Sequence, residues 1–154
     1  MQEIKALLRR FRIWTHHLEK VANEIGEGNL KYRPMPESNT AAWMLVHLIQ
    51  QYKDFLELVD DDDHPLDKLP PASEKDLSEQ QFTYIFNVLQ DYRQAFFTAI
   101  EKLGKTDQLD SGVPAGEDKS WRDLIYTVVS HEIYHCGQLA YIAKILQQKA
   151  DQID

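Results

Sequence analysis

Between Ile4 and Ile25 the residues Ile4, Leu7, Phe11, Trp14, Leu18, Val21 and Ile25 follow one another in alternating steps of three and four. That rhythm puts them on one narrow stripe of an α-helix, which is buried when helices pack side by side at a shallow angle. Gly26 and Gly28 come directly after it, where glycine ends helices, and Pro34 and Pro36 mark the next stretch as loop. A second helix is predicted through Trp43, Leu45, Leu48, Tyr52, Phe55, Leu56 and Val59, with Ser38 or Asn39 as its N-cap. The run Asp60-Asp61-Asp62-Asp63 follows, and like charges at the negative end of a helix dipole should stop it. The run lacks the spacing and turn glycine of an EF-hand, so no calcium loop is expected.

The rhythm returns in Phe82, Ile85, Leu89, Tyr92, Phe96, Ile100 and Leu103, opened by the capping box Ser78-Glu79-Gln80-Gln81 and closed by Gly104. Residues 105–119, with Gly112, Pro114 and Gly116, read as loop. A last helix opens with the capping box Ser120-Trp121-Arg122-Asp123 and runs along Trp121, Leu124, Val128, His131, His135, Gln138, Ile142 and Ile145. No stretch alternates as a strand would. The fold class is all-α, a four-helix bundle in a single domain over residues 1–154. The connections between helices 2 and 3 and between helices 3 and 4 are long, which leaves room for an up-down-down-up order.

A net charge of -8 and a pI near 5.2 argue against nucleic acid and anionic membrane as partners. The cluster Arg9-Arg10-Phe11-Arg12 reads as the wet face of the first helix. No apolar run reaches the roughly 18 residues of a membrane span, and the N-terminus shows no signal-peptide core. The expected location is cytoplasmic. With Cys136 the sole cysteine, no internal disulfide can form.

The last helix also reads His131-Glu132-Ile133-Tyr134-His135, the HExxH pattern of zinc proteases. Two imidazoles at i and i+4 sit side by side and can share one ion. Both occupy positions that the repeat turns inward, where a metal would satisfy one nitrogen of each. The protease reading needs a further ligand downstream, but the 19 residues after His135 contain neither His nor Glu. The extended HExxHxxGxxH form fails too, because Gln138 and Tyr141 stand at its Gly and His positions. His47, on the margin of helix 2's apolar stripe one turn beyond Trp43, is the better third ligand. His16 and His17 compete, and His17 could face inward; His64, beside the aspartates, is expected to be exposed. Glu132 and Gln138 are weak catalytic candidates. Glu132 is expected on the surface or between helices, and Gln138 as an outer partner of the ligands. Gly137 is expected to permit close helix approach, Tyr134 and Trp43 to fill core, and Cys136 to be a buried thiol.

The strings Thr40-Ala41-Ala42-Trp43-Met44-Leu45-Val46-His47-Leu48, His131-x-x-x-His135 and Cys136-Gly137-Gln138-Leu139 together resemble the DinB/YfiT-like four-helix-bundle family over nearly the whole chain. The resemblance implies an unusual helix order and a divalent ion held by His47, His131 and His135. Zn or Ni is favoured for the ion, with Fe, Co or Mn compatible. It also implies a homodimer and a metal-dependent transferase joining a low-molecular-weight thiol such as mycothiol or bacillithiol to a small electrophile. Three protein ligands leave an open position, the arrangement of catalytic sites. Two alternatives stay open: a metal-binding bundle with no turnover, and a metal-dependent hydrolase.

Overall fold

The computed structural model describes residues 2–59, 69–70, 81–114 and 118–152, and among them it places four α-helices and no strand. α1 spans Gln2–Ile25, α2 Ala41–Glu57, α3 Phe82–Lys105 and α4 Trp121–Ala150. α1 and α4 start at the same end, since Arg122 and Tyr126 at the head of α4 both bond Glu3. At the other end, Glu27 just beyond α1 accepts the Phe82 N–H that opens α3. There the Ala42 N–H, at the head of α2, reaches the Leu30 carbonyl. α2 and α3 thus run back together, and Leu58 and Leu103 at their far ends line one crevice. The order is up-down-down-up, with α1 against α4 and α2 against both α3 and α4. Between α2 and α3, Pro70 accepts the Tyr92 hydroxyl.

Most repeat residues are buried, and all seven stripe residues of α3 are inside. Phe96 meets Tyr52 and Phe55 with ring centroids 5.1 and 4.7 Å apart, and Phe55 meets Trp121 at 5.5 Å. Each such ring contributes about 1.5–3 kcal/mol through burial alone. Arg9, Arg10 and Arg12 are exposed around buried Phe11, as a wet face requires.

Several local expectations change. Trp14 is 42% exposed, because α1 turns Leu8, Phe11, Leu18, Ala22 and Ile25 to the core, and Thr15, not Trp14, falls between Phe11 and Leu18 on that stripe. His17 is exposed with it. The N-cap of α2 is Thr40, whose hydroxyl accepts the Trp43 N–H at 3.0 Å, not Ser38 or Asn39. α2 ends at Glu57, before the aspartate run, which lies outside the described residues with His64. Ser78, Glu79 and Gln80 of the expected capping box lie outside them too. α3 begins after Gln81, which makes no side-chain cap; its first N–H goes instead to the Glu27 carboxylate at 2.8 and 2.9 Å. An anion at a helix N-terminus is favourable whichever part of the chain supplies it. Gly104 lies inside the last turn of α3, and the chain turns at Asp107 with φ 57°. The capping box of α4 forms as read: Ser120 accepts from Asp123 N–H, and Asp123 accepts from Ser120 N–H.

Candidate metal centre

α4 carries His131 and His135 one turn apart, and α2, running antiparallel to it, delivers His47 from its second turn. The Nε2 atoms of His47 and His131 are 2.9 Å apart, as are those of His131 and His135. Ligand atoms of all three lie within 4.8 Å of one another. Trp43 stacks on His47 with centroids 4.6 Å apart and planes 14° from parallel, and its edge meets His135 at 6.4 Å. The indole therefore walls the cluster and fixes the His47 ring; it is half-buried, not core.

Hydrogen-bond chemistry sets the protonation. The Nδ1 of His135 lies 2.7 Å from Gln138 Oε1, and that oxygen can only accept. Nδ1 therefore carries the proton, and neutral His135 presents a bare lone pair at Nε2 to the cluster. Burial lowers the pKa of His131, and it pushes His135 down to about 4 against the opposing Gln138 bond. His131 and His47 push His135 the same way. Neutral imidazoles with converging lone pairs are the ligand form. Nitrogens about 2.0–2.1 Å from one ion lie about 2.9 Å apart at 90° around it and about 3.3 Å apart at the tetrahedral angle, so the two 2.9 Å pairs are close enough to share one ion.

A comparison with protein-family models matches residues 10–139 to the DinB superfamily, a span that includes all three histidines. The chain belongs to the DinB superfamily. A search of curated proteins finds no match.

The Glu of this DinB-superfamily protein's HExxH string does not face the histidines. Glu132 is 1% exposed, and Arg93 of α3 holds it with Nη2 2.8 Å from Oε1 and Nε 3.3 Å from Oε2. The Tyr52 hydroxyl of α2 donates to Oε2 as well, and Arg93 gives its remaining arm to Gln90 at 2.8 Å. The expectation of an interhelix role holds and that of a surface role does not. Burial first, and the Glu132 charge second, hold the Tyr52 hydroxyl protonated far above its ordinary range. Among the described residues no buried side-chain N or O is left without a partner. Cys136 is buried beside this cluster, and burial pushes its thiol up to about 11.

Tyr52 and Arg93 were missed as site-adjacent residues, though Arg93 carried a signal together with Glu132. Arg93 falls on a second 3-4 stripe of α3, Phe86–Leu89–Arg93–Phe96–Ile100, and Glu132 falls on Ile125–Val128–Glu132–Cys136–Leu139 of α4. Opposite charges on two inward stripes mark a buried pair. The axis of burial on α4 thus passes one residue beyond the expected seam and leaves His131 and Gln138 half-buried at its margin. Two further expectations fail there. Tyr134 is 62% exposed, not core. A Cβ at Gly137 would meet no atom within 4 Å, so no helix approaches it closely. His16 and His17 stand exposed on α1, with His16 beside Glu19, and neither joins the cluster.

Proposed function

We propose that His47, His131 and His135 hold one divalent ion, Zn or Ni, and that the protein is a transferase in which a low-molecular-weight thiol attacks a small electrophile there. The observation that carries this is the convergence of three Nε2 atoms with no fourth His, Cys, Asp or Glu in the group among the described residues. Three donors on one side leave room for a substrate atom on the other, whereas structural sites are usually closed by four. When bound, the ion supplies the charge that keeps a thiol sulfur deprotonated at neutral pH.

The chain's own residues prepare the site. Gln138 fixes the His135 tautomer, Trp43 holds the His47 ring, and the wall they form shields one side from water. The thiol's proton goes to solvent when its sulfur is held as thiolate; the sulfur–carbon bond then forms as the electrophile's leaving group departs as its anion. Hydrolysis is the weaker reading, because Glu132, the base that HExxH chemistry would use, has both carboxylate oxygens bound in the core.

The test begins with metal content of untagged protein by mass spectrometry, beside His47→Ala. Near-stoichiometric metal in the wild type and none in the variant would support the triad, and metal retained without His47 would break it. Loaded protein is then mixed with low-molecular-weight thiols and a small electrophile such as 1-chloro-2,4-dinitrobenzene. Metal-dependent adduct formation supports the transferase, and loaded protein that accelerates none of these couplings leaves a metal-binding bundle without turnover.

A further inference from the structure

A groove of about 620 Å³ runs beside the centre, between α4 and the segment leading into α2. Met35 and Met44 line one side, and Tyr134, Gly137, Gln138 and Tyr141 the other. Its volume falls in the range of small-molecule sites, roughly 300–1,000 Å³. Glu37 is the one charged side chain in the lining, and no cation joins it.

Gly137 is the observation that needs a reason. It sits inside a 30-residue helix, where glycine weakens the backbone relative to alanine. Neither a positive φ nor a close neighbour requires it. A side chain there would enter the groove, so glycine keeps the groove open. Around it Tyr134, Tyr141 and Met35 are 62%, 66% and 64% exposed, an unusual outlay of large apolar side chains on a surface. The Tyr134 oxygen accepts from Gln138 Nε2 at 3.0 Å, and its own hydrogen meets no protein acceptor among the described residues. Gln138 in turn holds His135, so groove and centre share one amide.

We propose that this groove binds a small neutral molecule with an apolar or aromatic body and one hydrogen-bond acceptor. The body lies over Gly137 between Tyr141 and Met35, and the acceptor takes the Tyr134 hydrogen. Glu37 and the absence of a lining cation select against anions. The inference rests on the proposed centre for its purpose, since it names the class of electrophile that centre would serve.

The probes are acetophenone, a neutral aryl ketone, and benzoate, its anionic counterpart, each titrated by heteronuclear NMR into metal-free and zinc-loaded protein. Saturable acetophenone shifts are expected at the amides of residues 134–141, with benzoate at least about tenfold weaker. Gly137→Leu should weaken acetophenone by at least about tenfold, with zinc content unchanged and melting temperature not lowered, because the side chain fills open space and leucine suits a helix better than glycine. Gly137→Ala should fall between it and the wild type. Tyr134→Phe should cost about fivefold, the loss of one hydrogen bond. Acetophenone bound as tightly by Gly137→Leu as by the wild type, or benzoate bound equally well, would overturn the proposal. Zinc binding without any saturable ketone shift removes the groove and leaves the centre. Ketone binding with the expected variant pattern, in protein that takes no zinc, removes the centre and leaves the groove.

Discussion

α4 places two polar clusters on adjacent residues. Around Glu132, the carboxylate, the Arg93 guanidinium and the Tyr52 hydroxyl satisfy one another, and Gln90 takes the remaining arm of Arg93. Around His131, three imidazoles turn Nε2 toward a common point, and the proton of His135 is held on the far side by Gln138. The first cluster is complete without a ligand and ties α2, α3 and α4 together. The second gathers three ring nitrogens, with two of the pairs 2.9 Å apart, a donor set that one cation between them would satisfy. A closed network reads as architecture and a converging set of donors as a binding site, even when the two share a helix turn.

Breaking the closed cluster should produce the largest effect. Glu132→Ala leaves a buried, unpaired guanidinium and should cost about 3–5 kcal/mol in urea unfolding of metal-free protein. The joint replacement Glu132→Leu with Arg93→Met should recover most of that, because a well-packed apolar pair of similar volume often equals a buried ion pair. If Glu132→Ala costs under about 1 kcal/mol, the cluster does not hold the helices together. Folded Glu132→Gln protein should still take up metal, and loss of uptake would merge the two clusters into one functional unit.

The open cluster should show its largest effect when ligand is added. Saturating zinc at about 1,000 times its Kd should raise wild-type stability by about 4 kcal/mol, and His47→Ala should gain almost none of it. Without metal, that variant should lose only about 1 kcal/mol, since His47 is half-buried beside Trp43. Equal loss with and without zinc would mean that His47 serves packing alone.

Protons test the same cluster from another side. The pKa of His135 is lowered in the folded protein to about 4 and is about 6.5 in the unfolded chain. Between those values the unfolded chain binds the extra proton, so the contribution is fully present above about pH 6.5 and lost as pH falls through 4. In metal-free protein this amounts to about 3 kcal/mol between pH 7.5 and pH 4, with His131 acting in the same direction. Urea melts at the two pH values should show this loss in the wild type and a smaller one in His135→Gln. Equal losses would place the acid sensitivity elsewhere.

The sequence carried these two regions unequally. His131 and His135 were visible because helical spacing alone makes i and i+4 neighbours, and His47 because Trp43 and the apolar stripe placed it at a helix margin. The closed cluster depends on Tyr52, Arg93 and Glu132, which lie 39 to 80 residues apart, so no local pattern joins them. The charges did sit on inward stripes, but α4 offers two overlapping 3-4 repeats, and the one through His131 and His135 looked as good as the one through Glu132. α1 offers the same ambiguity, and there Trp14 was the casualty. Helix order was less legible still, because it shows only in contacts between distant parts of the chain, such as Glu3 with Arg122 and Glu27 with Phe82.

The smallest expected effect draws the sharpest line between the clusters. Gln138 touches the open one from outside, through His135 Nδ1, and its amide also reaches Tyr134. Gln138→Ala frees the imidazole to rotate and to carry its proton on either nitrogen, so only part of the population presents a lone pair at Nε2. Loss of such an outer partner typically lowers metal affinity by about 10–100-fold. Zinc affinity by competition with a chromophoric chelator should show a fall of that size, with metal-free stability changed by no more than about 0.5 kcal/mol, because Gln138 is only half-buried. Gln138→Glu should keep an acceptor oxygen at Nδ1 and hold affinity near the wild-type value. If Gln138→Ala and Gln138→Glu weaken zinc equally, the amide acts by packing and not by orienting the proton. If neither does, the tautomer of His135 is set by the convergence of the imidazoles themselves, and the open cluster is more self-sufficient than its outward hydrogen bond suggests.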